Sequence, residues 1–148
     1  MIKLTNTDKV IKSFGKYADS VTKELGDLAY QTGQEIETKA KELAPVNKEA
    51  HGGNLKLSIR SEKQTTDLHY KITAYMPYAA YMEFGTGAKN VKIPRGFNKM
   101  AGQFKGAGIK EGNINPKPFM YPAFLHGRRY FRKDLKEILK YWAKQFNK

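Results

Sequence analysis

Three histidines and fourteen carboxylates, with no cysteine, are the first side chains to ask for acid–base or metal chemistry in this chain. His51, His69 and His126 fall in three separate segments, and none stands in a His-x-x-x-His or His-Glu pair. Without cysteine there is no disulfide, no thiol nucleophile and no cysteine-held zinc. No two carboxylates form a recognisable general acid and base arrangement. Gly85-Thr86-Gly87-Ala88-Lys89 lacks the Gly-x-x-x-x-Gly-Lys-Ser/Thr order and the strand-to-helix setting of a phosphate loop. Gly102 to Gly108 is glycine-rich but has no third glycine at dinucleotide spacing ahead of a clear helix. The inventory argues against an enzyme, a metal site or a bound cofactor.

What the chain does hold in excess is positive charge. Its net charge is +13, with 22 Lys and five Arg. Residues 1–84 carry 12 Lys/Arg against 11 Asp/Glu, and residues 85–148 carry 15 against three. The basic character thus belongs to the second half, and such asymmetry points to a surface that meets a polyanion or an acidic protein. Arginine, the side chain suited to bidentate recognition of phosphates and bases, is scarce. The charge therefore reads as a general field rather than a sequence reader. No recognised DNA- or RNA-binding motif accompanies it, and Phe97 and Phe104 are too sparse for a base-stacking platform.

The elements that must position these residues follow from periodicity. Ile11, Phe14, Ala18, Val21, Leu25 and Leu28, continued by Ile36, Ala40 and Leu43, step by threes and fours and predict an amphipathic helix from Thr7 to Leu43. Thr7 or Asn6 is placed to cap its start, and the residue before Pro45 to stop it. At 1.5 Å per residue it would span about 55 Å, more than one small domain needs, so part of it should project or pack on a neighbour. Gly15, Gly26 and Gly33 each cost about 1 kcal/mol in a helix interior, and a kink or break is expected near Gly33. Leu55, Leu57 and Ile59 alternate with polar residues and predict a strand, paired through a polar loop at residues 62–67 with a second strand from Leu68 to Tyr75. Residues 78–84 fit a helical turn or a strand. Ala88 to Lys117, with seven Lys/Arg and one Glu, reads as a long mobile basic loop. Ala123 to Phe146 predicts a second amphipathic helix, with Phe124, Phe131, Leu135, Ile138, Trp142 and Phe146 on one face. Arg128, Arg129, Arg132, Lys133, Lys136, Lys140 and Lys144 crowd the other. The fold class is α+β: a small antiparallel sheet packed against the long N-terminal helix and the C-terminal amphipathic helix, with a long basic loop at about 86–117, all in one domain of residues 1–148. No stretch approaches the roughly 18 apolar residues of a membrane span, and Met1 to Asp8 has no apolar run of a signal peptide. A soluble protein made in a cytoplasm is expected.

Three stretches carry a resemblance. They are Ala44-Pro45-Val46 followed by Gly53-Asn54-Leu55-x-x-Ser58-Ile59, then Pro77-Tyr78-Ala79-Ala80-Tyr81-Met82-Glu83-Phe84-Gly85-Thr86-Gly87, then Pro116-x-Pro118-Phe119-Met120-x-Pro122-Ala123. In this order and spacing the chain, from about residue 36 to its C-terminus, resembles the tail-component family of long-tailed bacteriophages, also called tail-completion or head–tail joining proteins. The segment Asn47 to Gly52 departs from the family's shorter turn between proline and glycine. The resemblance implies a compact α+β subunit, a ring, often of six or larger, at the neck or tail end of the virion, no cofactor and no catalytic residues. Its partners would be further copies of itself, neighbouring connector and tail proteins, and passing genomic DNA bound without sequence preference. A membrane is not among them.

The residues set the interface candidates. Tyr78, Tyr81 and Phe84 supply apolar area with few rotamers to freeze, either to the core or to a neighbouring subunit. Gly85 and Gly87 bracket Thr86, where the backbone calls for conformations open to glycine. Glu83 is the lone acid before the basic half; it either pairs with a Lys or Arg or stands as a solvated or capping carboxylate. Phe119 and Tyr121, between prolines, are expected in the core or as interface anchors. Lys89, Lys92, Arg95, Lys99, Lys105 and Lys110 are the loop's DNA- or partner-facing candidates. The competing function is a basic nucleic-acid-binding protein without sequence specificity.

Overall fold

A computed structural model describes residues 7–47, 52–86 and 114–146. Its elements are α1 (Thr7–Leu43), α2 (Asn54–Leu57), β1 (Ile59–Lys63), β2 (Tyr70–Ala74), α3 (Ala79–Phe84) and α4 (Met120–Phe146). The α+β class holds, with one antiparallel hairpin, β1 paired to β2, and two long helices. The basic loop lies mostly outside the described residues, as do Asn6 and residues 48–51 within the departure from Asn47 to Gly52.

Helix α1 is the spine. It is continuous through Gly33, where a break is expected from propensity alone. Packing is the reason for the glycine: a Cβ there would stand 2.6 Å from Ser61 Oγ and 3.5 Å from Tyr70, so Gly33 lets the hairpin lie directly on the helix. Gly26, two turns earlier, meets Asp67 in the same way. Ile59 pairs with Ala74 and Ser61 with Ile72. Ser61 belongs to a pair that exchanges no ladder bonds, so its N–H points out of the free edge of β1. Glu37 of α1 takes that donor at 2.6 Å. Burial pushes the Glu37 carboxyl up, but the hydrogen bond from Lys41, the Ser61 N–H and the charges of Lys41 and Arg60 outweigh it and hold the carboxyl below its usual range.

Helix α4 runs antiparallel along α1. Gly127 sits against Ile36, with room for no side chain, since a Cβ would fall 2.2 Å from Ile36 Cγ1. Toward the other end Trp142 Nε1–H donates to Glu24 at 2.5 Å, and its ring meets Tyr17 edge-on at 5.7 Å. This close approach also settles which residues of α4 face inward. Ala123 and Gly127 are buried, whereas Phe124, expected on the apolar face, is 46% exposed. A ring at that turn would hold the helices apart. Phe131, Leu135, Ile138 and Trp142 are half-buried against α1, as expected.

The core gathers at the C-terminal end of α1. Ile36, Ala40 and Ala44 meet Leu55, Ile59, Ala79, Phe119 and Ala123. The strict four-residue step carries the stripe to Ala44 and leaves Leu43, expected inside, exposed. Leu55 to Leu57 form a helical turn rather than the start of a strand: Leu55 and Ile59, four apart, are buried, and Leu57 between them is 66% exposed. Lys12 and residues 14–20 of α1 are exposed, including Phe14 and Ala18. Among the described residues no helix is long and apolar enough to cross a membrane, and no cluster of His, Cys, Asp or Glu could hold a metal ion.

Candidate functional site

The stretch from Tyr78 to Thr86 folds as one short helix with a tight exit, and four of its residues organise the surface around it. Ala79 and Glu83, one turn apart, both face inward, which resolves the helix-or-strand ambiguity. Glu83 is nearly fully buried, and its carboxylate lies at the N-terminus of α4. Phe119 N–H and Met120 N–H donate to its Oε2 at 2.7 and 2.9 Å, and Tyr121 N–H donates to Oε1 at 3.0 Å. A helix start leaves its first N–H groups without partners inside the helix. Here the next residue, Pro122, has no N–H at all, so Glu83 and the proline together account for every donor of the first turn. The carboxylate's charge also stands at the positive end of the helix dipole. Glu83 is thus a capping carboxylate, and among the described residues no Lys or Arg forms an ion pair with it.

Gly85 leaves α3 at φ +74, and a Cβ there would meet Ile114 O at 2.8 Å and Pro116 at 2.9 Å. Only glycine combines that backbone conformation with so close an approach. The turn delivers Thr86, buried, into a pair of bonds with Ile114: Thr86 N–H donates to Ile114 O at 3.0 Å, and Ile114 N–H donates to Thr86 Oγ1 at 2.9 Å. Lys117 N–H donates to Met82 O at 2.7 Å. The two ends of the 87–113 connection therefore leave and return at one clasp.

The aromatic candidates separate. Phe119 is fully buried and belongs to the core. Tyr81, Phe84 and Tyr121 are half-buried. Tyr78 is 43% exposed and lines a groove with Pro45, Val46, Leu55, Met82 and Lys117, so it is not a core residue. Lys89, Lys92, Arg95, Lys99, Lys105 and Lys110 lie outside the described residues. Of the histidines, His126 lies 3.0 Å from Glu35, joining α4 to α1, and His69 sits in the hairpin turn.

A sequence model of the bacteriophage HK97-gp10 tail component matches residues 8–85. The match begins earlier than the resemblance read from the motifs and takes in all but the first residue of α1; it stops at Gly85, so the Pro116 to Ala123 motif lies beyond it. No curated protein and no solved structure matches the chain. The match spans just over half of the 148 residues, from the start of α1 to the glycine of the clasp, and the chain belongs to the HK97-gp10 family of phage tail components.

Proposed function

We propose that this chain is a ring-forming subunit at the neck or tail end of a long-tailed phage, acting in head–tail joining or tail completion and carrying out no catalysis. The family supplies the class: a structural component of the virion that meets other phage proteins. The observation that carries the finer reading is the unit built around Glu83. It binds α3, the clasp and the start of α4 into one rigid piece while leaving Tyr78 on the surface beside the groove. Rigid presentation of an aromatic side chain is what a repeated subunit contact needs. In this arrangement Tyr78, Tyr81 and Phe84 face the neighbouring copy, while Glu83, Gly85, Thr86 and Phe119 hold that surface in shape from inside. The exposed N-terminal part of α1 supplies a second ring contact. Lys89, Lys92, Arg95, Lys99, Lys105 and Lys110 turn toward DNA in the lumen or toward an acidic partner ring.

The test is electron microscopy of particles made by the parent phage with this reading frame disrupted. Filled heads beside unattached tails, or tails of aberrant length, are the expected result. Normal, infectious virions would refute the reading.

A further inference from the structure

Helix α4 carries seven Lys/Arg and two acids, a balance of +5, while α1, against which it lies, carries six against seven, a balance of −1. Arg128, Arg132, Lys136 and Lys140 stand four residues apart and so form one ridge along α4, with Arg129 and Lys133 beside it. All six are exposed, and the face they share is lined by α4 alone, bordered by Leu125 and Glu137. Among the described residues none of the six is ion-paired; the ion pairs there are Lys39–Glu42, Lys41–Glu37, Lys63–Asp67 and His126–Glu35. The arrangement is also uneven in type: three of the chain's five arginines stand within five residues here. Arginine presents a planar fork of donors that matches phosphate oxygens and is weakly hydrated.

We propose that this face of α4 docks on the phosphate backbone of duplex DNA, without regard to base sequence. The spacing favours a linear polyanion. Six cations spread along about 18 Å of helix axis, close to the density of one phosphate per about 3.4 Å along a single strand of the duplex. The surface extends the assembly reading without depending on it, because the binding it predicts belongs to the isolated chain.

The experiment is fluorescence anisotropy of the full chain on a short labelled duplex of mixed sequence, titrated at salt concentrations from about 50 to 200 mM. The variant joins Arg128→Gln, Arg132→Gln, Lys136→Gln and Lys140→Gln, all exposed, with helicity and unfolding midpoint measured alongside. Loss of four phosphate contacts should flatten the slope of log affinity against log salt by about 3 to 4 and weaken binding at low salt at least tenfold. Lys23→Gln, Lys56→Gln and Lys71→Gln, exposed and outside α4, should leave the slope unchanged. A folded ridge variant with the wild-type slope, or a wild-type chain that does not bind at low salt, overturns the proposal. So does polyglutamate competing as well as DNA at equal charge, which would assign the face to an acidic protein. None of these outcomes touches the particle phenotype on which the assembly reading stands.

Discussion

Removing the carboxylate of Glu83 should be among the most damaging single changes available to this chain. Glu83→Ala strips the acceptor from three helix N–H groups at once. Hydrogen bonds to charged groups contribute about 1.5–3 kcal/mol each, but Met120 and Tyr121 are half-exposed and water can reach their donors. The Phe119 bond is buried, so that donor carries its full desolvation cost. We expect a loss of about 3–4 kcal/mol from a total of about 5–15. With a urea m value of about 1.5 kcal/mol/M, the midpoint should fall by about 2 M. Glu83→Gln keeps one oxygen, enough for the two bonds now made by Oε2, but turns an NH2 group toward Tyr121 N–H and gives up the charge at the helix dipole. Its cost should be about half as large. Glu83→Asp is one methylene short of all three donors and should resemble the alanine variant. Urea unfolding followed by circular dichroism gives the midpoints, and hydrogen exchange at residues 119–123 gives the local effect. An alanine variant within about 0.5 kcal/mol of wild type, or unchanged exchange at the start of α4, would refute the capping assignment.

Three further outcomes follow from packing and charge. Gly85→Ala forces a Cβ into the left-handed region and against Ile114 and Pro116, and should cost about 2–4 kcal/mol by thermal or urea unfolding. Gly127→Ala gains about 1 kcal/mol of helix propensity, yet should still destabilise because its Cβ collides with Ile36; in an Ile36→Ala background, itself destabilised, Gly127→Ala should cost less, a coupling that a double-mutant cycle reads. Glu37 has a depressed folded-state value, so its contribution is fully present above the unfolded value of about 4.3 and is lost as pH falls through the folded one. Glu37→Gln should therefore flatten the stability loss of the wild type below about pH 4.3 and lower stability at neutral pH.

The parts of the fold legible in the sequence are those with long, repeated spacing. Thr7 to Leu43 announces its helix over ten turns, and the polar face of α4 is where its seven cations place it. Two of the misread positions, Gly33 and Phe124, are decided by a distant element, and one stretch is too short to read. Leu55, Leu57 and Ile59 alternate over too few residues to separate a strand from one helical turn, and Gly53, at φ +119, starts the turn. Gly33 looks like a helix breaker until the hairpin is laid on it, and Phe124 looks like core until Gly127 brings α1 close. At the site, the motif marked Glu83, Gly85 and Thr86 as a group but left their roles open. Glu83 caps a helix 36 residues downstream, and Thr86 closes on a residue 28 away. Bonds across such separations leave no local pattern to read. What did point there was chemistry: a lone acid that is followed by glycine, then by a proline at the next helix start.

The clasp between Thr86 and Ile114 makes the 27 residues between them a cassette. Their ends are fixed by bonds that lie in the body of the subunit, and the entropy of closing such a segment grows by only about 0.6 kcal/mol for each doubling of its length. Because the closing bonds belong to Thr86 and Ile114, substitutions between them leave the clasp's own donors and acceptors in place. A lineage under pressure to fit a new partner could alter its contact chemistry there while its scaffold stayed still, and an experimenter could splice a tag or a cross-linkable peptide into the same place.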